Sequence, residues 1–174
     1  MRYSHPDAAV LLVLANYLRD TFLHRELREK GGAYGGFAQA GVGSATFYFG
    51  SYRDPNIART YDVFDRAITW VVDGEIEAQP LKEAILGACG DVDPLESPDI
   101  RGRRESTNRL TGFTREERER FKRRLLTVGP DDLRRVANQY LVGAATVQAT
   151  VAGPELIAAA RVERPELFRT VEAI

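Results

Sequence analysis

Apolar residues concentrate near the start of the chain in a pattern that predicts a buried helix. Pro6 suits a first helical turn, and residues 8–18 are apolar on most sides of a helical projection. Gly31 and Gly32 then follow a charged stretch, and glycine commonly ends helices because it adopts the left-handed cap conformation. We therefore expect one helix over residues 6–30, lying inside the fold rather than on its surface.

Two strands are predicted directly after this helix. Residues 33–39 are small and aromatic, and residues 45–52 are rich in strand-forming types. In the second segment the alternation places Phe47 and Phe49 on one face and Tyr48 on the other. The glycine-containing stretch between the two segments is typical of a hairpin loop.

Helical spacing and start signals predict four further helices. The first of these begins near Asp54, with Asp54 as N-cap and Pro55 at the first helical position, and the second runs from Pro80 to about residue 89. The third opens at a capping box over residues 114–117, and the fourth begins after Gly129. Residues 91–111 are polar and contain two prolines, so we expect mostly a long loop there. Residues 144–152 predict a final strand.

This order of elements predicts an α+β fold. A strand pair followed by helices is typical of a mostly antiparallel sheet with helices packed on one face. The length of 174 residues fits one core. We expect a single domain over residues 1–152 and a partly helical C-terminal tail over residues 153–174.

Composition narrows the classes of function. The net charge of −1 favours neither nucleic acid nor an acidic membrane, and the longest apolar run, residues 8–15, is too short to cross a bilayer. A single cysteine excludes an intrachain disulfide and fits a reducing compartment, so we expect a cytoplasmic location. One alternative stays open, because residues 101–124 carry an excess of Lys and Arg over Glu that would suit nucleic acid.

The sequence offers few groups for catalysis by this chain alone. It has two histidines and one cysteine, with no HExxH or HxxEH spacing, so we expect no metal site. No GxSxG motif or local Cys/His pair indicates a nucleophile.

The most unusual segment is the charged helix end that leads through glycines into the first strand. Arg28 and Tyr34 lie on either side of this turn and offer a cation and a phenolic hydroxyl, both suited to a peptide carbonyl or an oxyanion. The glycines that would shape the turn and let another backbone approach are Gly31, Gly32, Gly35 and Gly36. The alternative is a capped helix with an interfacial tyrosine and a salt-bridged arginine.

Several segments together resemble the C-terminal half of presequence proteases, in the pitrilysin (insulinase) superfamily of zinc peptidases. The resemblance covers about residues 10–141. It rests on the Arg28-to-Tyr34 turn with Gly-Gly-Ala-Tyr-Gly-Gly, on Tyr-Arg-Asp-Pro-Asn at residues 52–56, and on Lys-Glu-Ala-Ile-Leu-Gly-Ala-Cys-Gly-Asp at residues 82–91.

The resemblance implies a metallopeptidase-type α/β roll that closes a chamber with a second, N-terminal half. That half would hold the HxxEH motif, the zinc ion and the glutamate base. The C-terminal half contributes an arginine and a tyrosine that contact the substrate backbone, and Arg28 and Tyr34 occupy those positions. The expected function is therefore that of a non-catalytic, substrate-contacting domain, which hydrolyses unstructured peptides only with its zinc-bearing partner half.

The family domain normally begins with a strand that is not seen before the first helix here, so we expect a fragment or a truncated gene product. Loss of that strand would expose a sheet edge and favour self-association into a homo-oligomer. The alternative function is a structural or assembly domain of the same fold that binds no peptide. Expected partners are the zinc-bearing half, as the same polypeptide or a separate subunit, and a peptide substrate, with no nucleic acid and no membrane.

Overall fold

The computed structural model describes residues 3–172 and has an α+β fold. The elements are α1 (Pro6–Tyr17), a π-helical segment (Leu18–Glu29), β1 (Gly35–Gly41), β2 (Thr46–Tyr52), α2 (Ala58–Asp73), α3 (Ala78–Val92), α4 (Pro98–Thr111), α5 (Arg115–Leu125), α6 (Pro130–Tyr140), α7 (Pro154–Glu163) and a 3-10 turn (Pro165–Leu167). Within this part of the chain, no helix combines the length and apolarity needed to cross a bilayer.

Helix α1 forms the centre of the fold, as its apolar sequence predicts. Val13 and Leu14 are fully buried, and α1 packs against α3, α5, α6 and β1. Helices therefore surround a helix rather than a large sheet, and apolar burial around α1 is the main source of stability.

The helix continues without a break from α1 into the π-helical segment. Its backbone bonding widens by one residue, so that Lys30 N donates to Arg25 O at 3.0 Å. Phe22, Leu23 and Leu27 face the core from this segment. The predicted extent of the first helix is confirmed, but its π-helical winding carries no sequence signal that we recognise.

Strands β1 and β2 form an antiparallel hairpin in which Gly35 pairs with Tyr52 and Gly41 with Thr46. Phe47 and Phe49 pack inward against the core, with Phe49 stacked on Phe64 of α2 at a centroid distance of 5.5 Å. Tyr48 lies on the opposite face and is exposed. The hairpin and the predicted alternation of faces are confirmed, although β1 lies two residues later than predicted.

The start of α2 differs from the prediction. The Asp54 carboxylate accepts hydrogen bonds from Asn56 N at 2.9 Å and from the Thr60 hydroxyl at 2.6 Å. It thus stabilises a turn ahead of the helix instead of capping it, and α2 begins at Ala58. An Asp-Pro sequence is locally compatible with a helix N-cap and with a turn, and the hydrogen bond between Asp54 and Thr60 favours the turn.

The long loop predicted over residues 91–111 is wrong, because most of it is helix α4. This helix buries none of its residues. It therefore lacks the apolar stripe from which a helix is predicted. Its ends do follow the rules, with Pro98 in the first turn and Gly112 in the left-handed conformation after the last residue.

The final strand predicted over residues 144–152 is also not formed. The segment makes no strand pairing, and Val147 and Val151 are almost fully exposed. Its contact with the fold includes the Tyr61 hydroxyl, which donates to Ala149 O at 3.2 Å. A strand sequence needs a neighbouring strand to bond to, and the described residues supply none beside it. The predicted domain boundary after residue 152 stays a prediction.

A buried carboxylate joins the start of α1 to α6. Asp7 Oδ1 accepts from the Arg135 guanidinium at 2.6 Å, and Oδ2 accepts from the Tyr140 hydroxyl at 2.7 Å. The hydrogen bond from Arg135 is the main reason that the pKa of Asp7 lies below its ordinary value. The same contact with Asp7 raises the pKa of Tyr140.

We expect Asp7→Asn to lower the free energy of unfolding at pH 7 by about 1–2 kcal/mol, a modest value because Arg135 is half exposed. An acid with a lowered pKa in the folded state stabilises above its unfolded pKa, and that contribution is lost as the pH falls through the folded pKa. The difference between the two proteins should therefore shrink below about pH 4. Urea unfolding at several pH values checks this, with Asp20→Asn as an exposed control; a difference independent of pH would contradict it.

Candidate functional site

The glycine turn after the π-helical segment is a widened helix cap. Gly32 N donates to Arg28 O at 3.1 Å, and Ala33 N donates to Leu27 O at 3.0 Å. Gly32 has a φ of +77°, the left-handed conformation that ends helices. Each bond spans one residue more than in the corresponding cap of an α-helix, as expected at the end of a π-helical segment.

Side chains near the start of α2 hold this turn from the other side. The Asn56 amide donates to Gly31 O at 2.7 Å, and the Arg59 guanidinium donates to Lys30 O at 3.2 Å. Tyr34 N donates to Arg53 O at 3.2 Å, which joins the turn to the end of β2. The turn is thus fixed to two other elements of the fold.

Three of the four predicted turn glycines have a steric reason to lack a side chain. A Cβ on Gly31 would lie 2.5 Å from Leu27 O, and one on Gly36 would lie 2.5 Å from Leu27 Cδ1. Gly32 requires its positive φ. Gly35 differs, because a Cβ there would meet no atom within 4 Å.

Arg28 and Tyr34 are both exposed, Tyr34 to 63%. Within residues 3–172, neither the Arg28 guanidinium nor the Tyr34 hydroxyl has a hydrogen-bond or ion-pair partner. The structure therefore brings a cation and a hydroxyl donor to the two sides of one fixed turn and leaves both available. The salt-bridged arginine of the alternative interpretation is not observed.

A second arginine belongs to this surface and was missed by the sequence analysis. The Arg53 guanidinium lies over the rings of Tyr34 and Tyr52, at 5.7 and 5.3 Å from their centroids, and Tyr34 meets Tyr52 edge to face at 5.4 Å. Arg53 has a positive φ of 47°, which is uncommon for a residue other than glycine. Its place directly after a strand that ends in tyrosine was the available signal.

No metal centre is formed among residues 3–172, where no group of three or more His, Cys, Asp and Glu side chains is arranged to hold an ion. His5 caps α1, with its Nδ1 accepting from Asp7 N at 3.1 Å, while His24 lies 3.3 Å from Glu29. Cys89 is half-buried against the core. These residues do not fit a zinc site, so zinc chemistry is not assigned to this chain.

Much of the basic stretch over residues 101–124 is neutralised by acidic partners. The Asp93 carboxylate accepts a hydrogen bond from Lys122 and lies near the guanidinium groups of Arg104 and Arg118. The hydrogen bond from Lys122 is the main reason that the pKa of Asp93 is lowered. Arg104 also meets Glu96 at 2.9 Å. This pairing leaves less free positive charge for nucleic acid than the sequence suggests.

Glu116 and Arg120, like Glu119 and Arg123, have the i,i+4 spacing of helical ion pairs, but the described part of the chain pairs two of these groups with other residues. Arg120 pairs with Glu117, and Glu119 pairs with Arg115 at 3.1 Å. The preceding turn offers each group a second partner of opposite charge at helical spacing, so the sequence alone did not select the pairs.

Two cavities in the described part of the chain lie away from Arg28 and Tyr34. One of about 490 Å³ is lined by Ser4, Thr127 and side chains of α5, and one of about 170 Å³ lies between α1, the hairpin tip and the end of α6. The turn with Arg28 and Tyr34 is instead an exposed surface. A closed binding site there would need a facing wall from outside the described residues.

Comparisons with known proteins agree with the sequence resemblance. The family model described as the PreP C-terminal domain matches residues 5–151. The mitochondrial presequence protease of Yarrowia lipolytica is 42% identical over 152 residues, which cover 87% of this chain and 15% of that protein. The mitochondrial presequence protease of Xenopus laevis is 38% identical over 154 residues, which cover 88% of this chain and 15% of that protein. Presequence protease 1, chloroplastic/mitochondrial, of Arabidopsis thaliana is 34% identical over 163 residues, which cover 93% of this chain and 15% of that protein.

Two consequences follow from these relatives. The chain spans about 15% of the length of the curated relatives it matches. Their names also place them in mitochondria or chloroplasts, so the predicted cytoplasmic location is wrong. That prediction rested on the single cysteine, and cysteine content does not distinguish a reducing cytoplasm from an organelle interior.

We expect Gly32→Ala to lower the free energy of unfolding by about 1–2 kcal/mol, since alanine is strained in the left-handed conformation. Gly43→Ala is the matched control, because Gly43 has open space around it and no positive φ. Its stability should equal or slightly exceed that of the parent protein. Urea unfolding of the three proteins tests this, and equal losses in both variants would show that the φ of Gly32 is not the cause.

Proposed function

Because this chain belongs to the family of PreP C-terminal domains, we propose that it is the non-catalytic, peptide-contacting domain of a zinc peptidase that degrades unstructured peptides. Arg28 and Tyr34 donate hydrogen bonds to the backbone of the substrate. The observation that carries this proposal is their exposure with unused donors on the two sides of one fixed turn.

The chemistry of these two groups fits the role. A guanidinium and a phenolic hydroxyl are donors, and a peptide carbonyl gains negative charge as it is attacked. The backbone bonds around Gly32 hold the two residues in place, so little reorganisation is needed when the peptide binds. Activation of water is not assigned to this chain, and we propose that the zinc ion belongs to an N-terminal half, as the resemblance implies.

That half is a further part of the proposal, either as the rest of a longer polypeptide or as a separate subunit. The small share of the relatives that this chain covers supports it. The exposed position of Arg28 and Tyr34 also suits a site closed by a second wall. We extend to this chain the organellar setting that the names of its relatives carry.

The test is cleavage of a quenched, unstructured peptide by this chain alone and by a mixture with a separately expressed zinc-bearing half. Activity is expected only in the mixture. Arg28→Ala and Tyr34→Phe should each lower kcat/KM by about 100-fold or more, the usual effect of removing one donor to a developing oxyanion. Arg103→Ala, in an exposed arginine of α4, is the matched control and should have no effect.

Other outcomes favour other functions. Chelator-sensitive activity of this chain alone would show a metal site and contradict the proposal. An inactive mixture, with both proteins folded, would favour a structural or assembly domain. Normal activity in the Arg28 and Tyr34 variants would favour that alternative for this surface.

Self-association is a second proposal, supported by the unpaired segment over residues 144–152. The segment carries no charge, and Val147 is fully exposed. Nine residues of this kind form a template for strand pairing with another copy.

We expect Val147→Lys to shift a dimer of this chain toward monomer, because a charge on the exposed face opposes strand pairing. Sedimentation velocity over a range of concentrations measures this. Val162→Lys, at an exposed valine of α7, is the control and should leave the dimer intact. A parent chain that is monomeric at all concentrations would rule the proposal out.

A further inference from the structure

The side chain of Tyr34 is placed by contacts of its ring. Within residues 3–172 its hydroxyl has no hydrogen-bond partner, and the side chain is exposed. The backbone bond from Tyr34 N to Arg53 O fixes the main chain but leaves rotation about χ1 free. Exposed side chains of this kind exchange between rotamers unless something holds them. The ring contacts therefore decide where the hydroxyl lies.

Those contacts come from the end of β2. Tyr52 meets the Tyr34 ring edge to face, with the two centroids 5.4 Å apart. The Arg53 guanidinium lies over both rings, 5.7 Å from the centroid of Tyr34 and 5.3 Å from that of Tyr52. A cation is attracted to the negative face of a tyrosine ring. Arg53 thus joins the two rings into one cluster.

The two rings are also the contacts that place Arg53. Within the described residues its guanidinium forms neither a hydrogen bond nor an ion pair. The nearby Arg59 differs, because its guanidinium donates to Lys30 O and so stabilises the backbone of the turn. Arg53 makes no such bond, and its cation is directed to the tyrosines.

The backbone of Arg53 supports a function for its side chain. Its φ of 47° lies in the left-handed region, which costs free energy for a residue with a Cβ and not for glycine. A turn that served only to leave β2 would be more stable with glycine at this position. Strained residues of this kind are common at functional sites, where their side chains are needed.

We propose that Arg53 is a positioning residue, whose guanidinium holds the Tyr34 ring so that the hydroxyl is directed at the substrate carbonyl. This rests on the proposed peptide-contacting function and adds a residue to it. Arg53 acts on the substrate through Tyr34. Because the hydroxyl is needed most when the carbonyl gains charge, loss of its orientation lowers kcat and leaves KM nearly unchanged.

The first test is cleavage of the quenched peptide by the mixture with the zinc-bearing half. Arg53→Gln removes the charge and should lower kcat about fivefold, the effect of one exposed cation–π contact. Arg53→Lys keeps a cation and should recover most of that loss. Both replacements adopt the same positive φ as arginine, so neither adds backbone strain. Arg103→Gln, in an exposed arginine of α4, is the matched control.

A double-mutant cycle shows whether Arg53 acts through Tyr34. In Tyr34→Phe the ring remains but the hydroxyl is gone, so adding Arg53→Gln should lower kcat no further. In Arg28→Ala the effect of Arg53→Gln should persist in full, because Tyr34 is still present. An equal loss with and without the Tyr34 hydroxyl would show that Arg53 contacts the substrate itself and would overturn the proposal.

A second measurement uses this chain alone and needs no peptidase activity. NMR three-bond couplings across χ1 of Tyr34 show whether a single rotamer is populated. The parent chain, Arg53→Lys and the Arg103→Gln control should each show one rotamer, and Arg53→Gln should show averaged couplings. Unchanged couplings in Arg53→Gln would mean that the cation does not hold the ring.

The outcomes separate this inference from the proposed function. Normal cleavage by Arg53→Gln together with loss of cleavage in Tyr34→Phe overturns only the role of Arg53. Equal losses in Arg53→Gln and Arg53→Lys overturn it as well, because charge would then not be the cause. Normal cleavage by Tyr34→Phe, or an inactive mixture of folded proteins, overturns the proposed function of this surface and the inference that rests on it.

Discussion

Burial of one helix in the middle of the molecule is the constraint on which the other elements depend. Helix α1 is enclosed on several sides, so each neighbouring helix places its apolar stripe toward α1 rather than toward a sheet. Burial also brings Asp7 out of water at the helix start. The Arg135 and Tyr140 donors offset that cost and fix α6 in place, as a buried carboxylate requires.

The candidate site depends on the same helix. Its π-helical continuation extends from the core to the surface, so that Leu27 is anchored while Arg28, the next residue, is exposed. The widened cap at Gly32 then reverses the chain into β1 within a few residues. The position and orientation of Arg28 and Tyr34 are therefore set by core packing together with the left-handed glycine and the hydrogen bonds that hold the turn to the helix end, to the start of α2 and to the end of β2.

Sequence reasoning succeeded where local pattern and tertiary packing agree. The buried first helix, the hairpin with Phe47 inside, and the N-cap at Thr114 were all predictable from periodicity or from a start signal. Of the capping box predicted over residues 114–117, the structure shows the bond from Glu117 N to the Thr114 hydroxyl, while the Glu117 carboxylate pairs with Arg120. It failed for α4, which has no apolar stripe, and for residues 144–152, whose strand needs a partner outside the described residues. At the site, Arg28 and Tyr34 were recognisable as a motif, but Arg53 joins them only through the hairpin register.

The attachment of α4 has a consequence for its response to solution conditions. Since α4 buries no residue, its contacts with the fold are largely polar, and Arg104 links it to Glu96 and to the carbonyl of Val92. Detachment would expose little apolar surface and so carry almost no change in heat capacity. The helix is therefore held largely by charge, and its attachment weakens as the ionic strength rises.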